Sequence, residues 1–214
     1  MAWFTRLTRF GDVHLVYGQE AGMSCGIASV MMCVFKLNKL TPGTTAVTVE
    51  KDIYQKYSTV MGSAYAPEAS GTYPKHLATV MNSFTSGTWR WHTCAPTDVP
   101  QKLIDKIGTT SGFGAIVKVE PVILGVDWDV GGAHWVVVDT IRDMFGQHHA
   151  TICDPWDANV HVQTFKVGDP FRYDASAGGF MMNFVGTKPM GETAPYQGVS
   201  AKGQVKTWGM ICRD

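Results

Sequence analysis

The sequence predicts an α+β domain in which helices come first and an antiparallel sheet follows. Three observations lead there. Apolar residues recur at helical spacing in four segments between Cys25 and Ile107. Beyond Pro121 the pattern changes to short β-branched runs divided by glycine, proline and polar turns. The 214 residues, 45% hydrophobic and 17% charged, suffice for one ordinary core. The domain is expected to span 1–186. Residues 187–214, low in aliphatic side chains and rich in turn formers, read as an irregular C-terminal extension whose closing run, Val205 to Cys212, is able to dock back.

In chain order, residues 10–17 alternate loosely and predict a short strand leading to Gly18-Gln19. From Cys25 to about Leu37 small and apolar residues dominate, with no proline and no charge before Lys36, the pattern of a buried helix. Thr41-Pro42-Gly43 breaks the chain, and a second helix over 48–60 is expected, capped by Thr48, with Val49, Ile53 and Tyr57 on one stripe. Residues 62–71 are loop. Leu77, Val80, Met81 and Phe84 mark a third helix over 73–84. Trp89-Arg90-Trp91 is a short strand, and Thr97 or Asp98 caps a helix over 99–107 in which Pro100 sits early enough to be tolerated. The glycine-rich residues 108–116 lack a following Gly-Lys-Ser/Thr, which excludes a nucleotide loop. Strands are expected at 121–128, 134–141, 150–154, 160–167 and 180–185, as an antiparallel meander on which the first helix packs.

Eighteen Lys+Arg balance eighteen Asp+Glu, so no basic field exists to collect nucleic acid or anionic lipid, and neither nucleic acid nor membrane is an expected partner. No apolar run reaches the roughly 18–20 residues of a membrane span, and Met1-Ala2-Trp3-Phe4-Thr5-Arg6 lacks a signal peptide's apolar core. The chain is expected to start out in the cytoplasm, with export by a machine that needs no cleaved signal left open. Its five cysteines are widely spread with no Cys-x-x-Cys pair, against a disulfide framework or a zinc site. No metal and no cofactor is expected.

The chemistry gathers at Gln19 to Met32, where a loop runs into the first helix with Cys25 at the junction. Gly22 and Ser24 supply the turn and a cap. The first helical N–H groups lack intrahelical partners and the macrodipole places partial positive charge beside the sulfur, which favours the nucleophilic thiolate. Gly26 leaves room above the sulfur, whereas Cys33, two turns on within the apolar helix, reads as core. Gln19, six residues upstream, carries an amide able to donate to an oxyanion over the sulfur.

A nucleophilic cysteine needs a base and a group that orients it. Gly131-Gly132-Ala133-His134 opens into a β-branched run, so His134 begins a strand; His148 to Asp154 is a second strand, closed by Pro155. Asp143 to Gln147 reads as the hairpin turn between them. A turn centred near residue 144 or 145 sets His134 and Asp154 opposite or one diagonal step apart. Both numbers are even, so both side chains face one way and Cys153 faces the other, toward the core. The remaining histidines, at 14, 76, 92, 148, 149 and 161, read mostly as surface or satisfied polar positions.

The Gln19-to-Cys25-Gly26 entry into a helix, Gly-Ala-His134-Trp-Val-Val-Val and Ile-Cys-Asp154-Pro together resemble the papain-like cysteine peptidases. Within them the chain looks most like the double-glycine leader peptidases of bacteriocin exporters and related papain-fold effector toxins. The likeness spans roughly residues 10–186. It implies a papain-like fold with Cys25 as nucleophile, His134 as base, Asp154 as orienting carboxylate and Gln19 in the oxyanion hole. It implies a protein or peptide substrate, with a carrier or immunity protein as partner. Ser24 stands where the leader peptidases often carry an acidic residue. Met23, Ser24, Gly132, Ala133, Trp135 and Trp156 flank the reactive positions and are the candidate substrate-binding residues. The bulk of Met23, Trp135 and Trp156 suggests a slot that admits glycine before the scissile bond. The same triad also serves a cell-wall amidase or transamidase, and a catalytically silent papain fold that grips peptides is the second class of reading.

Overall fold

A computed structural model describes residues 2–38, 50–112, 120–129, 131–174, 182–183, 202–204 and 209–214. Strands β1 (Ala2–Leu7) and β2 (Val13–Gly18) come first, followed by helices α1 (Cys25–Asn38), α2 (Glu50–Met61) and α3 (Pro74–Phe84). Then come β3 (Trp89–His92), α4 (Val99–Ile107) and β4 (Thr110–Ser111). The expected meander follows as β5 (Val122–Trp128), β6 (Ala133–Met144), β7 (Gln147–Asp154) and β8 (Asn159–Phe165). Four short strands end the chain: β9 (Arg172–Asp174), β10 (Met182–Asn183), β11 (Lys202–Gln204) and β12 (Met210–Arg213). The architecture is α+β, with four helices among the described residues and a sheet that is antiparallel apart from the short β4–β6 pairing.

Three features depart from the sequence reading. Residues 2–7 form a strand that pairs with all of β2, from Ala2 opposite Gly18 to Leu7 opposite Val13. The strand expected at 180–185 does not extend the meander; its described part, Met182–Asn183, pairs with β1 in a separate three-stranded sheet. The chain end goes further than the docking back that its closing run allowed: Met210–Arg213 lies as a strand between β3 and β5 inside the large sheet, with Met210, Ile211 and Cys212 buried. A four-residue apolar run has too weak a local pattern to announce itself, and its pairing is set by distant strands. The caps also differ: Asp98 has helical backbone and makes no side-chain cap bond. Thr48, Val49, the Thr41-Pro42-Gly43 break, residues 113–119 with Gly114, and residues 184–201 and 205–208 lie outside the described residues.

The large sheet is buried on both faces, and alternation along each strand divides its side chains between two clusters. Ile123, Trp135, Val137, Cys153 and Ile211 join Ile27, Val30, Met31, Val34, Ile53, Tyr57, Leu77 and Met81 from α1, α2 and α3. Val122, Leu124, Val136, Val138, Ile152 and Met210 face the other way, onto Val99 and Leu103 of α4 with Phe171 and Tyr173. Helix α1 is buried at every residue from 24 to 34, which explains its uninterrupted small and apolar sequence. Each large aliphatic side chain so buried contributes about 1.5–3 kcal/mol, so α1 is a fixed post for the residue at its N-terminus.

Candidate active site

Cys25 is the first residue of α1, and the loop before it is clamped from several sides. Gln19 N–H donates to the Pro155 carbonyl at 2.8 Å, tying the loop to the end of β7. Met23 N–H donates to Pro67 O, Tyr65 Oη donates to Met23 O, and Gly22 N–H donates to the Glu68 carboxylate. From below, the fully buried Glu50 carboxylate accepts from Glu20 N–H at 3.0 Å and from Ser24 Oγ at 3.3 Å. Burial pushes Glu50 up to about 7. Gly26 is required by close approach: a Cβ there would drive into Thr72 Oγ1 and meet Leu77 and Trp135.

His134 is the second residue of β6, and its Nε2 lies 2.7 Å from Asp154 Oδ1. The Cys25 sulfur acts on the same imidazole and favours its protonated form, and with Nε2 on the carboxylate the ring nitrogen left to it is Nδ1. Asp154 Oδ1 also accepts from Trp156 N–H at 2.8 Å, and Oδ2 accepts from Tyr173 Oη at 2.6 Å. Burial of the His134 ring works against its charged form, but the Asp154 charge, the bond to it and the Cys25 sulfur outweigh this and raise its proton affinity. Asp154 is the converse: burial opposes ionisation, and the charge and hydrogen bond of His134, with His161 and Tyr173, hold it below the usual carboxylate range.

Two tryptophans frame the imidazole. Trp128, at the end of β5, stacks on its face at 5.5 Å and 20°, and Trp156 meets it edge-on at 5.5 Å. Among the expected substrate-binding residues, Met23, Gly132 and Ala133 are exposed, and Trp156 is half-buried beside His134. Ser24 and Trp135 are corrections. Ser24 is fully buried with its hydroxyl on Ala21 and Glu50, because it faces α2 and not the sulfur. Trp135 is buried in the α1 cluster and donates to Thr72 O, since the residue after His134 must point to the opposite face of β6. The Gln19 side chain is bonded within the loop that leads to Cys25: its Nε2 donates to Ala21 O at 2.7 Å and Gly22 O at 3.3 Å, while Oε1 is buried without a partner. Trp128 and Tyr173 were not marked by any local motif; only the sheet brings them to His134 and Asp154.

Cys33 and Cys153 are core residues, as expected. His14, His149 and His161 are buried polar positions with partners, His14 on Asp139, His149 on Arg9 and Thr164, and His161 on Asp157. Two groups place three ligand-capable atoms within 4.8 Å of one another: His14, Asp139 and Cys153, and Asp154, Asp157 and His161. In the first, Lys36 Nζ sits 2.7 Å from Asp139 Oδ2 and already supplies the positive charge. In the second, Asp154 is committed to His134 and Tyr173, and His161 Nε2 to Asp157 Oδ2 at 2.8 Å. Among the described residues no helix is long and apolar enough to cross a membrane. No protein-family model matches the chain, and no curated protein matches it significantly.

Proposed function

We propose that this chain is a papain-like cysteine peptidase acting through Cys25, His134 and Asp154. The observation that carries the reading is a buried imidazole bonded to Asp154 on Nε2 and acted on by the sulfur of Cys25, the first residue of a buried helix. The Cys25 sulfur, as thiolate, adds to the scissile carbonyl, and the oxyanion is held by the Cys25 N–H, which has no intrahelical acceptor at a helix start. Gln19 joins it by releasing its longer bond, to Gly22 O. His134 then gives its Nδ1 proton to the leaving amine, and the carbon–nitrogen bond breaks. Water, deprotonated by the same nitrogen, hydrolyses the thioester and returns the thiol. Asp154 keeps the proton on Nε2 and supports the imidazolium.

The proposed substrate is a protein or peptide cut after glycine, with Trp128 stacked on the His134 ring and Trp156 edge-on to it limiting the room for a side chain at the reacting carbonyl. A carrier or immunity protein is the proposed partner of a leader peptidase or effector toxin. One observation favours the silent, peptide-gripping reading: both Gln19 amide hydrogens are spent on backbone carbonyls. The test compares new peptide ends, by mass spectrometry, in a bacterial lysate treated with wild type or Cys25→Ala. Ends that appear only with wild type support a peptidase and report its specificity; identical end sets defeat it.

A further inference from the structure

We infer that Tyr173 is a positioning residue of the site: its hydroxyl holds the Asp154 carboxylate in the orientation that receives the His134 N–H. The inference rests on the reading of Cys25, His134 and Asp154 as a triad. Tyr173 lies on β9, far in sequence from the hairpin, and is fully buried. Its ring is wedged between Trp128, at 5.8 Å, and His161, edge-on at 5.5 Å. So fixed, it spends its hydroxyl hydrogen on Asp154 Oδ2 at 2.6 Å, a length expected of a bond to an ionised oxygen.

Without that donor, Oδ2 would be a buried anionic oxygen with no hydrogen bond and only the charge of His161 to favour it, and the carboxylate would be free to turn about its Cβ–Cγ bond. Both donors on Oδ1, His134 Nε2 and Trp156 N–H, pull at one end only. Tyr173 fixes the other end, and two fixed ends define the plane. The hydroxyl has a second property: it donates to a carboxylate but is equally able to accept from an amide. An asparagine at 154 would therefore keep Oδ1 on His134 and Trp156 and place its NH₂ on Tyr173.

The test needs no known substrate. The rate of Cys25 alkylation by iodoacetamide is followed against pH in wild type, His134→Ala, Tyr173→Phe, Asp154→Ala and Asp154→Ala/Tyr173→Phe, with circular dichroism as the check on fold. Tyr173→Phe removes one oxygen and keeps the ring. Its acid limb should move upward by roughly half a unit or more, since Asp154 loses a bond that favours its ionised form. On any peptide that wild type cleaves, kcat should fall about ten- to hundredfold with KM unchanged, the range for a hydrogen bond to a charged group. In the Asp154→Ala background the same change should cost nothing more, because no carboxylate remains to be positioned. Folded Tyr173→Phe with a wild-type acid limb overturns the inference, and so does equal loss in both backgrounds or loss of fold in both. Wild-type alkylation indifferent to His134→Ala is a different failure: it removes the triad itself, and the inference with it.

Discussion

His134 and Asp154 point to the same face of the sheet because Asp139 bulges out of β6 between His134 and the hairpin turn. Near the turn Met144 faces Gln147 and Thr140 faces Thr151, a register that, if continued, would set Val137 opposite Asp154. The shift between Val138 and Thr140 adds one residue, so Val137 faces Cys153 and Val136 falls opposite Asp154. Val136 shares its face with His134, whereas Val137 does not.

The bulge is pinned through its own side chain. Asp139 Oδ2 accepts from Lys36 Nζ at 2.7 Å and is 2.9 Å from His14 Nδ1, with Cys153 Sγ at 3.6 Å. Removing that charge leaves Lys36 buried and uncompensated, so Asp139→Asn should lose about 3–5 kcal/mol of stability in urea titrations. Lys36→Met added to it should recover a large part. A single-variant loss below about 1 kcal/mol would show that the cluster does not hold the bulge.

The hairpin was legible and its exact geometry was not. Glycine pairs and β-branched runs place both strands, and the parity of 134 and 154 gives the correct face from a turn assumed near residue 144 or 145. The turn is in fact Phe145-Gly146, both with positive φ, which alone would have set the two side chains on opposite faces. The bulge restores the parity, and nothing local in Val-Val-Val-Asp-Thr announces it, because it depends on Lys36 and His14 arriving from α1 and β2. Tyr173 and the strand pairing of β12 were missed for the same reason: their value lies in partners distant in sequence.

Cys25→Ala should abolish turnover and iodoacetamide labelling at neutral pH while the melting curve stays near that of wild type, since the change removes only a sulfur at a helix start. His134→Ala should be as severe in kcat, because nucleophile and base act as a unit and their losses do not add. Turnover that survives in pure Cys25→Ala would rule this thiol out as the nucleophile.

Asp154 variants should separate. Asp154→Asn keeps an acceptor for His134 and Trp156 and an amide for Tyr173, whereas Asp154→Ala leaves all three donors without their acceptor. Both should retain activity on the order of 10⁻² to 10⁻⁴ of wild type, with asparagine at the upper end. Initial rates for the two variants on one peptide decide it, and an alanine variant as active as the asparagine one would contradict the bonding described.

Glu50 makes stability depend on pH near neutrality. Its carboxyl is raised from 4.5 to about 7 by burial, so the folded state holds the proton more tightly than the unfolded state does. The stabilising contribution is complete below about 4.5 and is lost as pH rises through about 7. Glu50→Gln keeps an oxygen for Glu20 N–H and Ser24 Oγ and does not titrate. Its melting temperature relative to wild type should rise by several degrees between about pH 5 and about pH 8, at about 2–4 °C per kcal/mol. Parallel Tm–pH curves would remove Glu50 from the account.

Gly26→Ala sets two effects against each other. On helix propensity alone alanine gains about 1 kcal/mol over glycine. Here the new Cβ would sit 2.9 Å from Leu77 Cδ1 and 3.0 Å from Trp135 Cδ1, and well inside contact distance of Thr72 Oγ1. Threonine is stiff at χ1, and both neighbours are buried, so the structure must shift and the cost is that of overpacking, about 1–3 kcal/mol. The clash wins, and the variant should be less stable in spite of its better helix former. Because Trp135 follows His134 directly, the displacement should also lower kcat. Thr72 Oγ1 is buried without a partner, so Thr72→Ala alone should cost little, and added to Gly26→Ala it should restore part of both stability and rate. Denaturation and initial rates on the two single variants and the double variant test this, and a Gly26→Ala protein as stable as wild type would show that the α1 entry has slack that the packing around Gly26 denies.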